Sequence, residues 1–287
     1  MPIRNILVPI RGDGKGEGVL DHAVALGQRF NAHIVALHCR PQPQDMLPFG
    51  VVVPGFLREQ IMASADTLAD AEEARLRDLF NAYCARRGIT LADGSPAPDD
   101  TLSISWRVEV GKQPTVVGRL GRLADIIATA QPERETMLGA NTLESAMVNT
   151  GRPVLLCPPS PVGRIGETIA VAWNGSREAA RAVWSAVPLL QAARSVAVLA
   201  GATGDWIQIP PEELARYLLD HGVTCAITRF DSAPDEVGQA LLRHAHEVGA
   251  DLLVMGAYGQ SRGRELVFGG VTQFIVDSSD LPILMAH

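Results

Sequence analysis

The chain has few residues of several types, and each shortage excludes a class of function. Only four of the 287 residues are cysteines, Cys39, Cys84, Cys157 and Cys225, and none form a CxxC pair. Zinc fingers and thiol-redox centres are therefore not expected, and we interpret all four as reduced thiols in the core. The net charge is −7 rather than positive, so the composition predicts no general affinity for nucleic acid.

Long apolar runs are also missing. No stretch approaches the roughly 20 apolar residues of a membrane-spanning helix, and the run that begins at Ile6 is too short for a signal peptide. We therefore expect a soluble protein of the cytoplasm without a membrane partner. Histidines are scattered, and the closest pair, His244 and His246, would face different directions on a helix, so no metal site is predicted.

Segments typical of buried strands occur in the first half of the chain, and the second half repeats the series in the same order. Each is short, almost continuously apolar and rich in β-branched residues, as in strands covered on both faces. They span residues 6–10, 33–38, 103–110, 125–128 and 153–157 in the first half, and 169–173, 195–200, 224–230, 251–255 and 282–285 in the second. Because helical stretches separate them, they predict an α/β fold of two tandem, doubly wound, five-stranded parallel sheets.

Local matches support an internal duplication. The segment 124–127 (Ala-Asp-Ile-Ile) resembles 250–253 (Ala-Asp-Leu-Leu), and a turn with a proline and a short strand occurs at both 151–156 and 280–285. More residues separate the matched segments in the first half than in the second, so the first half holds about 37 extra residues. We predict one unit over 1–160 and a second over 161–287.

The extra residues of the first half lie between its second and third strands. They comprise a proline-rich loop at 41–54 and a stretch at 56–87 whose apolar residues recur every three or four positions. This spacing predicts one long helix with a packed side and a solvated side. The sequence leaves open whether the helix covers a pocket or contacts a further subunit.

The segment after the fourth strand of the second half is the candidate ligand site. In open parallel sheets, ligands bind beyond the carboxyl ends of the strands, where the strand order reverses. Here Gly256 and Gly259 begin a loop that ends at Gly269 and Gly270, before a predicted helix. Glycines let backbone amides approach a phosphate closely, and the helix N-terminus adds a positive field.

The spacing of these glycines (glycine, two residues, glycine, nine residues, glycine) resembles the nucleotide loop of the universal stress protein family, and the resemblance covers nearly the whole chain as a tandem pair. It implies ATP or another adenine nucleotide in the second half. The family has an acidic residue near the adenine and ribose, where this chain has Asn174, and usually a serine or threonine where it has Gly270. Asn174 keeps hydrogen-bonding groups without charge, and Gly270 keeps an amide without a hydroxyl. The predicted binding residues are Asn174, Gly256, Gly259, Ser261, Arg262, Gly269, Gly270, Val271 and Thr272.

The resemblance also implies how the halves are arranged. They are expected to pack as a pseudo-twofold pair through their last strands, so that one chain imitates the family's homodimer. A further homodimer of the whole chain stays open.

The first half lacks the glycine loop. Its corresponding segment contains Pro132, which has no amide hydrogen, and Glu133 and Glu135, which are negative where a phosphate needs positive charge. Arg11 replaces the family's acidic residue, and we expect no triphosphate in this half. The glycine-rich stretch 11–18 has neither P-loop nor dinucleotide spacing, and we interpret it as a flexible turn rather than a phosphate cradle.

The leading hypothesis is a stress-response protein that binds an adenine nucleotide, or another phosphate-bearing ligand, in its second half and acts on a protein partner. One alternative is a nucleotide-independent scaffold whose glycine loop is a retained tight turn. Another is a slow ATP hydrolase. No serine has an identifiable histidine partner and no general base is recognisable, so no catalytic residue is predicted.

Overall fold

The computed structural model describes residues 3–46, 54–94, 101–134, 136–201, 209–257 and 270–287. The strands in these ranges are β1 (Asn5–Ile10), β2 (His33–Arg40), β3 (Thr90–Leu91), β4 (Ser103–Val110), β5 (Ile126–Ala130), β6 (Val154–Cys157), β7 (Thr168–Ala172), β8 (Ser195–Gly201), β9 (Ala226–Phe230), β10 (Leu252–Gly256) and β11 (Ile283–Ala286). The α-helices are α1 (Gly16–Phe30), α2 (Gly55–Arg87), α3 (Gln113–Leu120), α4 (Ala140–Asn149), α5 (Arg177–Ala192), α6 (Pro211–Asp220), α7 (Val237–Glu247) and α8 (Gly270–Ser278).

The described strands form one sheet in the order β3-β4-β2-β1-β5-β6-β11-β10-β7-β8-β9. Neighbours are parallel within each half, whereas β6 and β11 pair antiparallel, with Leu155 opposite Leu284. Apart from the two-residue edge strand β3, each half has its third, second, first, fourth and fifth strands in that order. The predicted α/β fold is confirmed, and the two five-stranded sheets join through their last strands. The division at residue 160 stays a prediction.

Two apolar layers cover the faces of the sheet, and both run through the junction between the halves. Because side chains alternate along a strand, Leu155 and Leu284 lie in one layer with Ile6, whereas Leu156 and Ile283 lie in the other. Each layer contains buried residues from both halves. The halves therefore share their core rather than holding separate ones.

The long helix α2 packs over the first half with its C-terminal part. Leu76 and Phe80 are buried, and the hydroxyl of Tyr83 donates to Asp21 of α1 at 2.9 Å. Near the other end, Phe56 and Leu68 are exposed. The helix agrees with the predicted span to within one residue. No helix within the described ranges is both long and apolar enough to cross a membrane.

The cysteines are free thiols, with Cys84 and Cys157 buried and Cys39 and Cys225 half-buried. Burial raises the pKa of each of them, as expected for thiols that pack rather than react. In the part of the chain that the structure describes, no three histidine, cysteine, aspartate or glutamate side chains are grouped as metal ligands.

An aspartate at the equivalent position of each half explains one part of the repeat. Asp125 accepts hydrogen bonds from the amides of residues 4 and 5 at 2.8 and 2.9 Å. Asp251 accepts them from the amides of residues 166–168 at 2.7 to 3.3 Å. In both halves, the aspartate before the fourth strand satisfies amides at the start of the first strand. Burial raises the pKa of Asp251, although these hydrogen bonds act in the opposite direction.

Replacing Asp251 with alanine is expected to lower the free energy of unfolding by about 1–3 kcal/mol, because half-buried amides lose their acceptor. Urea denaturation followed by circular dichroism measures the change. Asp251→Asn is the matched control, since it keeps one acceptor oxygen and should lose less. Equal losses in the two variants would contradict the hydrogen-bond explanation.

Candidate functional site

The strand order of the second half reverses between β7 and β10, which are neighbours in the sheet. β10 ends at Gly256, and the N-terminus of α5 packs directly against that glycine. A Cβ at Gly256 would lie 2.5 Å from the carbonyl carbon of Glu178 and closer still to the amide nitrogen of Ala179. The hydroxyl of Ser176 caps α5 by accepting from the Ala179 amide at 3.1 Å. The fold thus brings a helix N-terminus to the place where ligands bind in such sheets.

Asn174 lies in the loop that follows β7, next to this glycine-helix contact. Its side chain is exposed, and its Oδ1 accepts from the amide of Ser176 at 3.1 Å, which forms a local turn. Gly175 has a φ of +74°, a conformation that favours glycine. Trp173 is buried, and its Nε1 donates to the carbonyl of Ile209 at 2.9 Å, so this indole packs in the core.

Helix α8 begins at Gly270, as the sequence predicts. Gly270 is exposed, and a Cβ there would meet none of the described residues within 4 Å. Val271 is half-buried and Thr272 is buried in the same first turn. Four other predicted site residues lie outside the described residues: Gly259, Ser261, Arg262 and Gly269.

The first half has a small open cavity at its own switch point, between β1 and β5. Arg11, at the end of β1, and Lys15, before α1, line it together with Thr129 of β5. Gly139 and Thr142, at the N-terminus of α4, also line this cavity. Sequence reasoning set this half aside, although two cations after the first strand of a parallel sheet were a usable signal.

Both cations of this cavity have carboxylate partners. The guanidinium of Arg11 lies 3.2 Å from Asp13 and donates to the hydroxyl of Thr142 at 3.2 Å. The ammonium of Lys15 lies 3.3 Å from Glu133 and donates to the carbonyl of residue 131 at 3.2 Å. Hydrogen bonds from the Thr136 hydroxyl and from Lys15 lower the pKa of Glu133. The region is therefore polar and close to neutral in local charge.

The C-terminal part of the second half matches a known protein family. Residues 226–287, which contain β9 to β11 and the glycine loop, match the model of the universal stress protein family. The stress response protein NhaX of Bacillus subtilis (strain 168) is 31% identical over 56 residues, which are 20% of this chain and 34% of NhaX. The predicted resemblance is confirmed.

Solved universal stress proteins extend the likeness to both halves. One from Archaeoglobus fulgidus DSM 4304 superposes with a TM-score of 0.69 at 13% identity, covering 98% of this chain and 97% of that one. A putative universal stress protein from Pseudomonas aeruginosa UCBPP-PA14 gives a TM-score of 0.54 at 15% identity, covering 99% and 93%. At these low sequence identities the structural similarity establishes the fold alone. It covers nearly the whole chain.

Proposed function

We propose that this chain is a stress-response protein whose second half binds an adenine nucleotide, or another ligand with phosphate groups. In this proposal it acts by offering different surfaces to a protein partner when the ligand is bound and when it is absent. One observation carries the proposal. β10 ends at Gly256 and α8 begins at Gly270, so the glycine loop joins a strand end to a helix N-terminus at the switch point of the sheet.

Each part of the ligand has a candidate contact in this arrangement. The phosphates would lie at the first turn of α8, where unpaired amides and the helix dipole favour negative charge. Asn174 follows β7, and the end of the neighbouring strand β8 lies beside it, with Ala172 opposite Leu199. These two strand ends would face the base and ribose.

A nucleotide-independent scaffold is the second candidate, and two contacts favour it. Gly256 is required by the approach of α5, and the Asn174 side chain is engaged in its own turn. Both residues therefore have structural roles that need no ligand. Titration with nucleotide separates the two candidates.

The test is calorimetric titration of the full chain with ATP, ADP and AMP. We expect saturable binding of at least one nucleotide, and Gly270→Asp should weaken it at least tenfold, about 1.4 kcal/mol. The new carboxylate would stand where a phosphate binds, while an aspartate in the first turn of a helix favours the helix itself. Lost affinity would therefore not reflect a lost fold.

Gly163→Asp is the matched control, since it adds the same charge between β6 and β7, where a Cβ meets nothing within 4 Å. Its nucleotide affinity should equal that of the parent chain. Equal weakening in both variants would assign the effect to net charge rather than to the loop. Absence of binding at millimolar nucleotide would refute the proposal and support the scaffold.

A further inference from the structure

Thr129 is a buried group whose hydrogen-bonding capacity is unused. It is 3% exposed, lies in β5 and lines the first-half cavity, and its hydroxyl has no partner among the described residues. Leaving such a group unpaired is unfavourable, and buried polar atoms of this kind usually have a partner. The hydroxyl therefore indicates that a polar group enters the cavity.

The charges around Thr129 indicate what kind of group that is. Arg11 and Lys15 line the same cavity, and α1 and α4 both begin at its wall. A Cβ at Gly139, the residue before α4, would lie 3.7 Å from Nη1 of Arg11, so the guanidinium stands against that helix N-terminus. Two cations, two helix N-termini and a free hydroxyl are the features of an oxyanion site.

We propose that this cavity binds a phosphate-sized oxyanion between Arg11 and Lys15. The cavity is small and open to solvent. Inorganic phosphate or a small phosphate-bearing acid fits this space better than a nucleoside triphosphate does. The site is separate from the glycine loop and does not depend on nucleotide binding there.

Asp13, which lines the cavity, and Glu133, which pairs with Lys15, have different parts in this proposal. Asp13 is held in place, because it accepts a hydrogen bond from the Lys15 amide at 3.1 Å and lies 3.2 Å from Nε of Arg11 in an ion pair. Its side chain is 9% exposed. Glu133 holds Lys15 from the solvent side and is 39% exposed. An exposed ion pair of this kind contributes little to stability. A phosphate therefore displaces Glu133 from Lys15 at little cost, whereas Asp13 stays in place and positions Arg11.

The experiment is calorimetric titration of the full chain with inorganic phosphate in the Gly270→Asp background, in which ligand binding at the proposed second-half site is weakened. We expect Arg11→Gln and Lys15→Ala each to raise the Kd at least tenfold. Thr129→Val keeps the side-chain volume and should raise the Kd about threefold, in line with the loss of one hydrogen bond.

Glu133→Gln should lower the Kd about threefold to tenfold, because it releases Lys15 without removing a donor. Tighter binding cannot come from a damaged fold, so this variant keeps the test decisive. Glu59→Gln, the same change at an exposed position of α2, should have no effect.

Two results would overturn the proposal: absence of saturation at about 10 mM phosphate, and an unchanged or higher Kd in Glu133→Gln. The nucleotide proposal is judged separately, from titrations of the parent chain. Either proposal can therefore fail while the other stands.

Discussion

Gly256→Ala is expected to lower the free energy of unfolding by about 3 kcal/mol, because its Cβ would overlap the backbone of α5 at Glu178 and Ala179. Backbone atoms cannot rotate aside as the end of a flexible side chain can, so β10 and α5 must separate. The expected loss is at the upper end of the range for overpacking. Urea denaturation at equilibrium measures it.

Gly270→Ala is the matched control. A Cβ at Gly270 meets no atom of the described ranges within 4 Å, and the residue begins α8. Alanine at this exposed helical position should leave stability unchanged or raise it by up to about 1 kcal/mol. If Gly256→Ala were as stable as its control, the glycine would not serve the approach of α5, and close contact with a ligand would be its remaining role.

Leu155→Ala is expected to cost about 2–5 kcal/mol and to destabilise both halves. Leu155 is fully buried and faces Leu284 across the antiparallel junction, in a layer that both halves share. Its truncation leaves a cavity in that common layer. Hydrogen exchange followed by mass spectrometry should show faster exchange in peptides of β2 and also of β8.

Leu123→Ala is the control for this substitution, since Leu123 is 81% exposed. It should change stability by less than about 0.5 kcal/mol and leave exchange in both strands unaltered. Faster exchange confined to β2 in the Leu155→Ala variant would mean that the halves unfold independently despite their shared layer.

Most of the architecture was predictable because parallel strands buried on both faces leave a strong signal. The ten strands expected from apolar segments are present, with ends that differ by up to two residues, as at Arg40 of β2. Helix α2 was predicted within one residue from its spacing. The edge strand β3 was missed because Thr90 and Leu91 are exposed and carry no apolar pattern.

The sites were less predictable because their chemistry depends on contacts between distant residues. Glycine spacing located the start of α8, but the packing role of Gly256 depends on how closely α5 approaches β10. Glu133 was interpreted from the sequence as a repulsive charge in the first half. In the structure it pairs with Lys15, far away along the chain, and this contact removes much of the repulsion.

The antiparallel contact of β6 with β11 determines which way each half faces. Strands of the first half end on one side of the continuous sheet, and strands of the second half end on the opposite side. The two switch points therefore open in opposite directions and cannot share a ligand. In a symmetric homodimer every substitution would appear on both sides, whereas here Arg11 and Asn174 occupy corresponding positions and differ. A single chain can thus carry one site for a nucleotide and another for a small anion without compromise between them.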